Sequence, residues 1–132
     1  MLKLLGHLNH NLPQDLFFEL KRIVQKCSSM PEAYLFSACD KHGRDAIVEA
    51  EKNSEFNLEA AIQLAASFAL LKDHFDGLPE EAKIGLKAAM YYFALNEDGT
   101  PDFATFDGLD DDVLAANVCF DFAGKPELKI TI

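Results

Sequence analysis

The chain has 132 residues, 12 of them Lys or Arg and 22 Asp or Glu, for a formal charge of −10. Its 49% apolar and 26% charged content belongs to an ordinary folded domain and excludes collagen-like, low-complexity and disulfide-stapled chains. A domain of this size buries roughly two-thirds of the surface its unfolded chain exposes, enough for one core; the shortage of Lys and Arg argues against nucleic acid as a partner.

In chain order, Met1-Leu2-Lys3-Leu4-Leu5-Gly6-His7-Leu8 resembles the start of a signal peptide. However, His7, Asn9, His10 and Asn11 interrupt any apolar run, and no small-residue cleavage site follows. Leu12-Pro13-Gln14-Asp15 reads as a helix start, with Pro early in the first turn and an acid near the positive end of the dipole. Leu16, Leu20, Ile23 and Val24 continue it as a stripe ending near Cys27. Ser29-Met30-Pro31-Glu32 has the pattern of a capping box, Ser29 taking an orphan amide and Glu32 reaching back.

The stretch 33–50 supports two readings. Tyr34, Leu35, Ala38 and Cys39 suit a helix that stops at Gly43, which predicts two short helices. Tyr34, Phe36 and Ala38 also alternate, as do Ala46, Val48 and Ala50, so a minor β-hairpin at 33–50, turning at Asp40-Lys41-His42-Gly43, is the alternative.

Beyond residue 56 the pattern is helical. Asn57 is an N-cap for a helix over 57–75, stopped by Gly77, in which Ala61, Leu64, Phe68, Leu71 and Phe75 repeat at spacings of three and four. Ile62, Ala65 and Ala69 fill a second face, and a helix apolar on most sides is expected at the centre of its domain. Leu78-Pro79-Glu80-Glu81 opens a helix over 79–95, followed by a polar loop over 96–109 and a last helix over 110–122. Gly124-Lys125-Pro126 ends that helix, and Lys129-Ile130-Thr131-Ile132 reads as a short strand or an extended tail. The expectation is one all-α domain over residues 1–132.

The longest uncharged apolar stretch, Ala60 to Leu71, falls short of the ~20 residues that span a bilayer, which predicts no transmembrane segment. Cys27, Cys39 and Cys119 are odd in number and sit among apolar neighbours, so free thiols and a cytoplasmic location are expected.

Charge is uneven. Glu97, Asp98, Asp102, Asp107, Asp110, Asp111 and Asp112 stand close together with no Lys or Arg among them. Like charges at this density repel, while dipole attraction at a helix N-terminus returns only about 0.3–1 kcal/mol each. Three roles suit such a cluster. Asp107 or Asp110 would cap the last helix, with Asp98, Asp102, Asp111 and Asp112 paired to Lys83 or Lys87. Alternatively, Asp98, Asp102, Asp111 and Asp112 would bind Ca²⁺ or Mg²⁺, hard ions that take oxygen ligands, although the spacing is not that of the EF-hand calcium loop. In the third role all seven acids form a patch that steers a basic protein partner.

Tyr92, Asp98-Gly99-Thr100-Pro101-Asp102, Gly108 and Asp111-Asp112-Val113-Leu114 together resemble the signature of the YkvA-like family, a bacterial domain of unknown function. Leu70-Leu71-Lys72-Asp73 and Lys83 extend the resemblance to about residues 68–122. Asn96 replaces the family's usual proline, and Gly99-Thr100 an apolar pair, so this turn is more polar than the common form. The resemblance implies a helical domain in which two helices bracket an aspartate-rich turn, with no established activity.

Elsewhere the chemistry is sparse. His7-x-x-His10 and Cys39-x-x-His42 are each half of a zinc spacing, and no second half accompanies either. There is no Gly-x-Ser-x-Gly elbow, and the glycines form no phosphate loop. Phe17, Phe18, Phe103, Phe106 and Phe120 are the aromatics whose exposure would mark an interface. The functional expectation is a small acidic binding or regulatory module, inhibitor-, immunity- or mimic-like, which presents the aspartate-rich turn to a basic protein and is not an enzyme. Its alternative is a divalent-cation-binding module on the same aspartates.

Overall fold

A computed structural model describes residues 2–53, 55–95 and 108–131. Among them the chain forms six α-helices and no strand: α1 (Leu2–Asn11), α2 (Gln14–Cys27), α3 (Glu32–Ala50), α4 (Leu58–Leu71), α5 (Glu80–Ala94) and α6 (Asp110–Phe122). Two 3-10 segments, Lys72–Gly77 and Pro126–Leu128, complete the helical content.

Proline sets where three of these helices begin. Pro13, Pro31 and Pro79 are the N-cap residues of α2, α3 and α5. Their carbonyls accept the first intrahelical bonds, from Phe17, Leu35 and Lys83 at 2.9, 3.4 and 3.0 Å. A proline loses nothing at this position, because the amide it lacks has no intrahelical partner there. The expected Ser29 capping box does not form. Met30, preceding Pro31, is biased away from helical backbone, so α3 starts at Glu32 and Ser29 lies too early to cap it.

The stretch 33–50 is neither two short helices nor a β-hairpin but one continuous helix, α3. Its buried residues Leu35, Cys39, Gly43 and Ala46 recur at helical spacing, whereas the alternating Tyr34 and Val48 are exposed. Gly43 does not stop the helix because its missing side chain is used. A Cβ at Gly43 would lie 2.6 Å from the Cβ of Ala65, so α3 and α4 touch nearly backbone to backbone. Close approach outweighs the roughly 0.5–1 kcal/mol cost of glycine inside a helix.

Asn57 caps α4 as expected, its side chain accepting from the Ala60 amide at 3.1 Å. The helix then tightens into the 3-10 turn at Lys72, which delivers Phe75 edge-on to Phe36 at 5.4 Å. The helix at the centre is α5, not α4. It packs against α1, α2, α3 and α6, and buries Ala82, Leu86, Ala88, Met90 and Phe93. Phe68 of α4 joins the core, with ring centroids 6.0 Å from Phe93 and 5.6 Å from Phe120. On its other side α4 leaves Ile62, Ala66, Ala69 and Leu70 exposed. Hydrophobicity all round thus marks an outer helix with an uncovered face.

α6 ends in a Schellman turn. Gly124 has φ +72, Lys125 N–H donates to Phe120 O at 2.9 Å, and Gly124 N–H donates to Asp121 O at 3.1 Å. After the 3-10 segment Pro126–Leu128, residues 129–131 form an extended tail, not a strand. Ile130 N–H donates to Asn117 Oδ1 at 2.7 Å and Asn117 Nδ2 donates to Ile130 O at 3.0 Å, so one side chain replaces a strand partner. Ser67 Oγ adds a bond to Leu128 O at 2.8 Å.

The close α3–α4 approach is tested by comparing two glycines. Gly43→Ala is expected to lower the unfolding free energy in urea by about 1–3 kcal/mol through overpacking. Gly6→Ala, where a Cβ meets nothing within 4 Å, is expected to be neutral or stabilising by up to about 1 kcal/mol.

Candidate functional site

The acidic cluster is hung between two packed helices. α5 closes with Leu95 N–H donating to Tyr91 O at 2.9 Å, and α6 opens at Leu109, a buried residue whose carbonyl accepts from Val113 at 3.0 Å. α5 and α6 lie against one another, so both ends of the intervening stretch are fixed to the core. Glu97, Asp98, Asp102 and Asp107 fall outside the described residues.

The first turn of α6 carries Asp110, Asp111 and Asp112. Asp110 and Asp111 are exposed, while Asp112 is 4% exposed and is the charged residue buried among those described. All three sit where the unsatisfied amides of a helix start favour negative charge, at about 0.3–1 kcal/mol each for exposed groups. The expected cap at Asp110 does not occur. The N-cap is Leu109, which offers no side-chain bond, and Asp110 is already the first helical residue.

Of the two lysines expected beside the acids, each makes a contact within the fold. Lys87 donates to the carbonyls of Met30 at 2.9 Å and Ser28 at 3.3 Å, and thus satisfies the turn after α2. Lys83 lies over the ring of Phe75, 5.9 Å from its centroid. Among the described residues no three His, Cys, Asp or Glu side chains gather as a metal site needs. Of the candidate cation ligands, Asp111 and Asp112 are adjacent in sequence but differ in exposure, and Asp98 and Asp102 lie outside the described residues.

The other half-motifs are structural. His7 donates from Nε2 to Val118 O at 3.2 Å and stacks near Phe122, while His10 is exposed. His42 meets the edge of Phe93 at 4.8 Å. Cys39 is buried and its thiol reaches Met90 O at 3.7 Å. Burial pushes the thiol of Cys27 up to about 11 and that of Cys119 up to about 12, the latter also raised by Cys27; burial raises Cys39 further still. A nucleophilic cysteine needs the opposite shift. Of the aromatics expected at an interface, Phe17 and Phe120 are buried, Phe18 is exposed, and Phe103 and Phe106 lie outside the described residues.

A furrow between α3 and α4 was not foreseen from the sequence. It encloses about 200 Å³ above Gly43, Ala65, Ala66 and Ala69, with Ile47 and Ile62 at one end and the Asp40–Arg44 ion pair, 3.2 Å long, along its wall. The signal was the run of alanines at helical spacing in α4, which reads equally well as a buried face.

Among the described residues no helix is long and apolar enough to cross a membrane. Comparisons of the chain with protein families, with curated proteins and with solved structures give no match.

Two outcomes follow from these environments. Asp112→Ala is expected to cost about 1–3 kcal/mol in urea unfolding and Asp111→Ala less than about 1 kcal/mol, because only the former empties a buried polar position. Equal losses would contradict the assigned burial. All three thiols are expected to resist iodoacetamide at about pH 8 in the folded protein and to react fully in denaturant; rapid labelling of the folded chain would contradict their place in the core.

Proposed function

We propose that this chain is a small acidic helical module that presents its aspartate-rich segment, residues 97–112, to a basic protein partner and performs no catalysis of its own. The observation that carries the reading is the pair of exposed acids at the opening of α6, Asp110 and Asp111, at the end of a run over residues 96–112 that holds no Lys or Arg. On α5, Lys87 donates to the carbonyls of Met30 and Ser28, and Lys83 lies over the ring of Phe75. The order α5, acidic segment, α6 is also the arrangement that a resemblance to the YkvA-like family would imply. The buried free thiols accord with a reducing, cytoplasmic setting.

Such a surface works by long-range attraction. A concentrated negative patch raises the encounter rate with a positive partner, and the benefit fades once salt shortens the Debye length to about 3 Å near 1 M. Anchoring at both ends limits the ordering cost that a free acidic tail would add on binding.

The test uses an oligolysine peptide as the probe and the full chain as the receptor. D98K/D102K is expected to weaken binding at least about tenfold at low salt, while the charge-matched E49K/E51K, at the C-terminal end of α3 and its cap, changes it by less than about twofold. Equal losses from both pairs would reduce the effect to net charge and overturn the reading, as would binding that salt leaves unchanged.

A further inference from the structure

The furrow between α3 and α4 has two properties beyond being apolar: it is polarised in shape along its length, and its charges alternate in sign. At one end Ile47 and Ile62 stand 51% and 43% exposed. At the other end the wall falls away to Ser37 and Ala69, which line a second hollow of about 190 Å³ that continues the furrow towards Lys72. The middle is floored by Gly43 and Ala65. Asp40 and Arg44 stand one helical turn apart on the α3 side, and α4 carries no charged residue from Ala60 to Leu71.

We propose that this face docks on the same face of a second copy of the chain, about a two-fold axis that lies in the interface and crosses the furrow near its midpoint. That axis sets α3 antiparallel to α3 and α4 antiparallel to α4 of the second copy. The sequence numbers then pair about a centre near residue 42 on α3 and near Ala66 on α4. Asp40 of each copy faces Arg44 of the other, so the two intrahelical pairs close into a ring of four alternating charges. Ile47 of each meets the hollow beside Ser37 of the other, and Ile62 meets Ala69. A two-fold contact requires a surface that complements itself when reversed. This one does so in charge and in relief together. The alternative axis, running along the furrow, would place the Asp40–Arg44 pair opposite uncharged α4, where it meets no charge of the second copy. A second copy is therefore the occupant that the charges select.

The face is small. Each helix contributes about 20 Å of length at 1.5 Å per residue, which puts the pairing at the lower end of interface sizes, where association is weak and reversible. The charge of −10 on each copy opposes association at a distance, so screening is expected to strengthen this contact. Salt acts in the opposite sense on the acidic segment and its basic probe, so the two surfaces are separable in one titration series.

The experiment is sedimentation equilibrium of the full chain from micromolar to submillimolar concentration, at low and high salt. The molar mass is expected to climb from one chain towards two, at lower concentration in high salt. Ala66→Lys, an exposed helical position given a good helix former, is expected to stay single throughout with an unchanged melting temperature, even though it lowers the net charge. D40R alone is expected to weaken the dimer by about three- to tenfold, the worth of two exposed ion pairs, and D40R/R44D to restore it. A single-chain mass at every concentration and salt overturns the proposal. So does a dimer indifferent to Ala66→Lys, and so does a D40R dimer as tight as the parent, which would exclude this register.

Discussion

The close approach of helices to α5 is the constraint on which the remaining structure depends. Ala82, Gly85, Ala88 and Ala89 are all buried along it, and a Cβ at Gly85 would come within 2.8 Å of Leu4 Cδ1 on α1. Small side chains let α1, α2, α3 and α6 all reach the same helix. Larger residues, Leu86, Met90 and Phe93, then fill the gaps between those neighbours. The same arrangement places the end of α5 and the start of α6, the two described elements that flank the acidic segment in sequence.

Magnitudes show why the acids do not splay that junction. Two unit charges 4 Å apart in water repel by about 1 kcal/mol, and less with salt. Full burial of a single Leu or Phe side chain returns about 1.5–3 kcal/mol, and Phe93, Leu109 and Phe120 are all buried where α5 and α6 meet the core. Packing therefore holds the charges together at a tolerable cost. The ion pairs elsewhere, Lys41–Asp45, Arg44–Asp40 and Lys129–Asp121, are solvent-exposed and add little stability.

Much of the helical framework was legible because it rests on local signals. The Leu16–Leu20–Ile23–Val24 stripe, the Asn57 cap and the glycine at 124 each act within a few residues, and each does in the structure what its chemistry predicts. The errors arose where a distant partner decides. Gly43 reads as a stop until Ala65 is seen pressed against it, and the alternation around it fits a hairpin equally well. The apolar α4 reads as central because hydropathy does not tell a buried face from an uncovered one. Asn117 has no sequence signature as the residue that fastens the tail at Ile130. For the candidate site, a helix opening near Asp110 with Asp111 and Asp112 in its first turn was readable from the sequence, but the N-cap at Leu109, the burial of Asp112 and the bonds from Lys87 to the carbonyls of Ser28 and Met30 were not.

The chain thus has two faces of different character: an acidic junction between α5 and α6, and a furrow between α3 and α4 nearly neutral in charge. The central claim is that the first of these is a localised binding surface and not a diffuse consequence of net charge. Amide chemical-shift mapping of the uniformly labelled chain, titrated with oligolysine, tests it residue by residue. The account predicts perturbations confined to residues 97–112 and the adjoining ends of α5 and α6, with α3 and the exposed face of α4 unmoved. Perturbations spread over acids throughout the surface, Glu49, Glu51 and Glu59 among them, would contradict it.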